Sequence, residues 1–109
     1  MYSRVFSAAV FGINAIIIEI ETHTDNQVPA FNIVGLPDSA IKESRERVTA
    51  AIKNSNYNFP AKKITVNLAP ADVKKEGSAF DLPIAIGLLA SFGLINYDSI
   101  QDTIIIGEL

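Results

Sequence analysis

"LPDSAIKESRERVTAAIKNSN", residues 36–56, is the stretch on which the fold turns. At helical pitch Ile41, Val48 and Ile52 fall on one stripe, flanked by Ala40, Ser44 and Ala51. Lys42, Arg45, Thr49 and Lys53 fall on the opposite side. That pattern predicts an amphipathic helix with one face in a core and one in solvent. Pro37 closes the segment before it, and Asp38 is placed to cap the helix N-terminus. Glu43 and Arg47 stand four apart, worth about 0.3 kcal/mol as an exposed pair. The run "NSNYNFP" ends the helix.

Working outward, the flanking segments read as strands. "RVFSAAVF" leads through Gly12-Ile13-Asn14 into "AIIIEIETH", where Ile16, Ile18 and Ile20 alternate with Ile17, Glu19 and Glu21. A period of two with one apolar face marks half-buried strands, and the Gly and Asn between them suit a hairpin turn. "TDNQVPA" reads as a loop and "FNIVGL" as a third strand. "KKITVNLAP" is a fourth, with Ile64, Val66 and Leu68 on one face. A second helix is expected from about Asp81 to Phe92. Pro83 falls in its first turn, where a missing N–H removes no intrahelical bond. Apolar residues surround this helix, so it should be buried. "GLINYDSIQD" leads to a last expected strand in "DTIIIGEL". The expected order is β-β-β-α-β-α-β, an α+β fold whose mixed sheet carries both helices on one face.

Composition narrows the function classes. The 109 residues are 49% apolar and 19% charged, which is globular rather than disordered. Without cysteine there is no disulfide framework, thiol nucleophile or thiolate metal site. No apolar run reaches a membrane span, and the N-terminus lacks the form of a signal peptide, so a soluble, cytoplasmic protein is expected. The net charge of −3 hides a segregation: Lys42 to Lys75 carries +5 and the flanks together −8. An acidic chain is a poor general DNA binder, but a segregated basic face can meet phosphate or an acidic partner. Lys42, Arg45 and Lys53 are the candidate contacts to DNA or to a neighbouring subunit, beside the plainer reading of a solvated helix face.

Other candidates are weaker. Gly77-Ser78, in "EGSAFDLPIAI" (76–86), lacks the Gly spacing and Lys of a phosphate loop. As a nucleophile Ser78 needs a base within reach, and neither His23 nor Lys74 and Lys75 is placed there by sequence. The plainer reading is a turn feeding the helix, with Asp81 set against its dipole. Ser39 to Lys42 matches S-x-x-K without the companion motifs of penicillin-binding enzymes. His23 lacks companions for a metal, and Tyr2, Tyr57 and Tyr97 are too dispersed to form a stacking platform.

The pieces "VGLP", "KES-x-x-RV", "PAKKITVNLAPAD" and "EGSAFDLPIAI" together resemble the N-terminal region of the ComM/YifB group of Mg-chelatase-like AAA+ ATPases, from "FGINA" onward. The resemblance implies a domain like the proteolytic domain of Lon proteases, sharing a fold with GHMP kinases and the second domain of gyrase B. It implies an N-terminal domain over 1–109, incomplete at its C-terminal end, with the ATPase module downstream. A β-branched run at the end of the chain agrees with that. In Lon-like proteases a Gly-Pro-Ser-Ala segment carries the nucleophile, paired with a later Lys. Alignment on Gly77 puts that serine at Ala79, and alignment on the Ser-Ala pair puts it at Ser78.

By the same resemblance the parent is a homo-hexameric, ATP- and Mg-dependent motor on DNA, associated with branch migration in natural transformation. The expectation for this chain is a non-catalytic accessory domain without a cofactor of its own, whose partners are the AAA+ module and DNA, with no membrane. The alternatives are a Lon-like serine peptidase fragment using Ser78, and a protein-interaction domain of a metal-chelatase-type ATPase.

Overall fold

The two-residue turn Gly12-Ile13 joins β1 (Tyr2–Phe11) to β2 (Asn14–Asp25) in antiparallel register, with Phe11 opposite Asn14 and Tyr2 opposite His23. Gly12 holds φ +63° while Ile13 keeps a negative φ, the pattern of a type II′ turn, which matches the twist of the strands it joins. In this computed structural model, which describes residues 1–71, 75 and 78–109, the sheet has the order β1-β2-β4-β3. β4 (Lys63–Ala69) lies antiparallel to β2, and β3 (Ala30–Val34) parallel to β4. Adjacent parallel strands need a crossover, and the amphipathic stretch supplies it as α1 (Asp38–Asn54).

The alternation read from sequence holds: Ile18 and Ile20, Ile64, Val66 and Leu68, and Val5 are buried on the helix-covered face, while Ile17 faces outward, exposed. On α1 the inward stripe is Ser44, Val48 and Ile52. The helix stops in a Schellman arrangement. Asn56 takes φ +68°, its N–H bonds the Lys53 carbonyl, and the Tyr57 N–H reaches the Ile52 carbonyl. Asp38 is not the cap, however. It is the first helical residue, Pro37 occupies the cap position, and no side chain bonds the exposed N–H groups there.

α2 (Asp81–Ser91) begins where expected, with Pro83 in its first turn, and most of its residues are buried. It packs on β1 and β2 and against α1. Its approach to the sheet is closest at Gly87, where an added Cβ would lie 3.2 Å from Thr22 Oγ1 and 3.6 Å from Ser3 Oγ. Ser3 Oγ donates to the Gly87 carbonyl at 2.7 Å, so this contact is partly polar.

The last expected strand does not form. "TIIIGEL" makes one parallel bridge, Ile104 with Phe6, and the Ile105 N–H donates to the Phe6 carbonyl at 2.8 Å. The segment then turns away, and the Gly107 carbonyl accepts the Leu82 N–H at the start of α2. The order is therefore β-β-β-α-β-α, a mixed four-stranded α+β sheet. Strand propensity in the isoleucines loses to an acceptor demand at the helix N-terminus, where N–H groups have no intrahelical partner.

Candidate functional site

The outer face of α1 faces β3 and the segment before β4, and the three enclose a groove of about 660 Å³. Its walls are Lys42, Arg45, Glu46, Thr49 and Lys53 from the helix, with Phe31 from β3 and Phe59 from the loop. The structure thus brings together all three basic residues picked out by helical pitch. Arg45 is fixed: its Nη1 donates to the Phe31 carbonyl at 3.0 Å, and the side chain is half-buried. Lys42 and Lys53 are exposed and carry their ammonium groups on the rim. Three cations stand against one carboxylate, Glu46.

The groove has an aromatic floor that sequence reasoning missed. Phe31 and Phe59 lie 5.7 Å apart between ring centroids, tilted by 35°, and Phe59 meets Phe92 edge-on at 5.7 Å. The phenylalanines come from three separate segments, so no spacing in the sequence announces them. Phe59 in "NYNFP" was readable only as part of a helix stop. Cationic rim and π-face together suit a ligand that is anionic and planar, or an acidic peptide with an apolar residue.

Among the described residues, the remaining basic side chains do not line this groove. Lys75 is buried, with Nζ donating to the Pro70 carbonyl at 2.7 Å. Lys74 lies outside the described residues, as do Glu76 and Gly77.

Ser78 opens a short 3-10 turn, Ser78–Phe80, that leads directly into α2. Its Oγ donates to Glu108 Oε1 at 3.0 Å. His23 is remote from it, on the outer face of the sheet, with its ring against Tyr2 at 4.8 Å. Among the described residues no group of three His, Asp or Glu could hold a metal ion, and no helix is long and apolar enough to cross a membrane.

Beside Ser78 lies an ion pair that the i,i+4 reading of Arg47 concealed. Asp81 is fully buried. Arg47 Nε meets its Oδ2 at 2.5 Å and Nη2 its Oδ1 at 3.3 Å, while Ser44 Oγ donates to Oδ1 at 3.1 Å. Glu43 is a secondary partner, 3.8 Å from Nη1. The hydrogen bond to Asp81 raises the Arg47 pKa above its ordinary value, with burial opposing. Asp81 does stand in the first turn of α2, but its role includes fastening that helix to α1.

Comparison with known proteins gives a consistent picture. Residues 20–109 match the family model described as "Subunit ChlI of Mg-chelatase". The protein YifB of Salmonella typhimurium, itself uncharacterized, is 50% identical over 105 residues, covering 96% of this chain and 21% of its own length. The Escherichia coli YifB is 48% identical over 107 residues, 98% of this chain and 21% of its length. Competence protein ComM of Haemophilus influenzae is 46% identical over 105 residues, 96% of this chain and again 21% of its own. This chain thus spans about a fifth of the relatives it matches. The chain belongs to the Mg-chelatase subunit ChlI family, as a domain shared with YifB and ComM.

Proposed function

We propose that this chain is the non-catalytic N-terminal domain of a longer, ComM-like AAA+ ATPase, and that it contacts DNA through the basic groove on α1. The observation that carries the reading is the placement of Lys42, Arg45 and Lys53 on one groove, around aromatic side chains, in a chain that is otherwise acidic. In the parent, ATP and Mg²⁺ belong to the ATPase module. The sequence carries no phosphate-loop motif, and among the described residues no group of three His, Asp or Glu could hold a metal ion. A cytoplasmic homo-hexamer working on DNA is the assembly in which such a contact has a use, and the Lon-like superfamily is the fold relationship we assign to it.

The peptidase alternative finds little support at Ser78. A nucleophilic serine needs a base at its hydroxyl. The partner here is the Glu108 carboxylate, and the hydroxyl stands at the entrance of a helix.

The test uses the full-length protein with Lys42→Glu and Lys53→Glu together, sparing Arg45 because it also holds β3. DNA affinity should fall, and the slope of log affinity against log salt should shrink by about two, one for each phosphate no longer neutralised. ATP hydrolysis should be unchanged. Unchanged DNA affinity and slope would remove the groove from DNA binding and leave it a contact between protein subunits.

A further inference from the structure

Along α1 the polar side chains of the groove come in a fixed order: Lys42, then Glu46 and Thr49, then Lys53. Steps of three and four residues keep them on one helical face. A rise of about 1.5 Å per residue sets the two lysine positions roughly 16 Å apart, with the carboxylate and the hydroxyl between them. Among the described residues Glu46 forms no ion pair, although Lys42 stands one turn before it on the same face. A carboxylate in a basic groove repels phosphate, so it weakens the site for a ligand that is nothing but an anion.

The floor under that row is aromatic. Phe31 and Phe59 are half-buried, Phe59 is braced edge-on against Phe92, and Arg45 is tied to the Phe31 carbonyl. A duplex shows only the edges of its bases, in its grooves, and keeps their faces inside the stack. Ring surface set below a cationic rim therefore has nothing to meet on a duplex. On a single strand every base has a face to offer. A cleft of about 660 Å³ is in the range that takes one small organic ligand, which suits a single nucleotide.

Taking DNA as the ligand of this groove, as proposed above, we propose that it seats one unpaired nucleotide of a single strand. The base lies on Phe31 and Phe59, and the phosphates on either side of it meet Lys42 and Lys53. Glu46 accepts a hydrogen bond from an exocyclic amino group of the base. The position of the carboxylate then has a use: it stands between the cations, opposite the uncharged part of the nucleotide and away from its phosphates. Cytosine, adenine and guanine each carry such an amino group. Thymine offers one N–H between two carbonyl oxygens, which a carboxylate repels. The Thr49 hydroxyl both donates and accepts, so it adjusts to a neighbouring ring nitrogen or carbonyl. The groove thus selects a single strand over a duplex, and amino-bearing bases over thymine.

The test is fluorescence anisotropy with the full-length protein on labelled single-stranded oligo(dC), single-stranded oligo(dT) and a blunt duplex, at one salt concentration. Phe59→Leu keeps an apolar side chain at a half-buried position and removes the ring face. It should weaken binding to both single strands by about tenfold and leave the duplex unchanged. Glu46→Gln alters an exposed position, so the fold is retained. It should narrow the preference for oligo(dC) over oligo(dT) by roughly threefold, as a neutral acceptor replaces a charged one. Single-strand affinity that is indifferent to Phe59→Leu, or that falls equally with the duplex, overturns the proposal. So does a dC-to-dT ratio that Glu46→Gln leaves alone. If Lys42→Glu with Lys53→Glu still weakens all three ligands in that case, the groove remains a phosphate contact and only the base contact falls. If that pair is also without effect, both fall.

Discussion

Arg47 shows how one side chain can serve two partners of very different weight. Toward Glu43, 73% exposed at its side chain, it forms a surface pair of small value. Toward Asp81, which is fully buried, it completes a neutralisation that the helix dipole alone does not supply. Replacing Arg47 with Ala leaves that carboxylate buried with Ser44 as its remaining side-chain partner and should cost about 3–5 kcal/mol, read as a lower urea midpoint with an unchanged slope. Arg47→Lys should recover only part of the loss, because an ammonium cannot make the forked contact. Glu43→Ala should change stability by less than about 0.5 kcal/mol. If the two alanine variants lost equal stability, the surface pair would be the one that matters. Only the lesser pair was legible from spacing; the greater one joins residues 34 apart, and no periodicity encodes it.

Among the elements, those whose signal is local were readable and those whose signal is a distant partner were not. Alternation of Ile16, Ile18 and Ile20 with wetter residues placed β2, and the three-residue apolar stripe placed α1. The isoleucines at 104–106 have equal β propensity, yet Ile105 bonds Phe6 while Gly107, two residues on, bonds Leu82, so no strand develops. The groove was legible as three cations on a helix face, whereas its floor required the packing of β3, the loop before β4 and the end of α2. The seat of α2 is a further case. Gly87 looks like an ordinary helix glycine, but it lets the helix approach Ser3 and Thr22. Gly87→Ala gains helix propensity yet must push Thr22 Oγ1 away from 3.2 Å, a net loss of about 1–2 kcal/mol. Thermal denaturation decides it, and a rise in Tm would show the space to be slack.

At the scale of the whole molecule, the C-terminal segment acts as a strap. Tyr97 Oη bonds the backbone of Arg4, Ile105 that of Phe6, and Gly107 that of Leu82, so one stretch ties the first strand to the last helix. Removal of residues 103–109 should lower stability by about 2–4 kcal/mol, through reduced burial of Ile105 and the missing bonds at Phe6 and Leu82. Hydrogen exchange should then quicken at the N-terminal end of α2. Equal protection with and without the segment would mean that the strap is ornamental.

The ion pair between Arg47 and Asp81 also sets how the molecule carries load. Lys42, Arg45 and Lys53 sit on the outward side of α1, and Arg47 projects from the same helix to a carboxylate at the root of α2, which in turn rests on β1 and β2. A pull applied at the groove therefore does not end in a surface helix free to roll. It runs through a short, charged strut into α2 and from there into the two strands on which α2 packs.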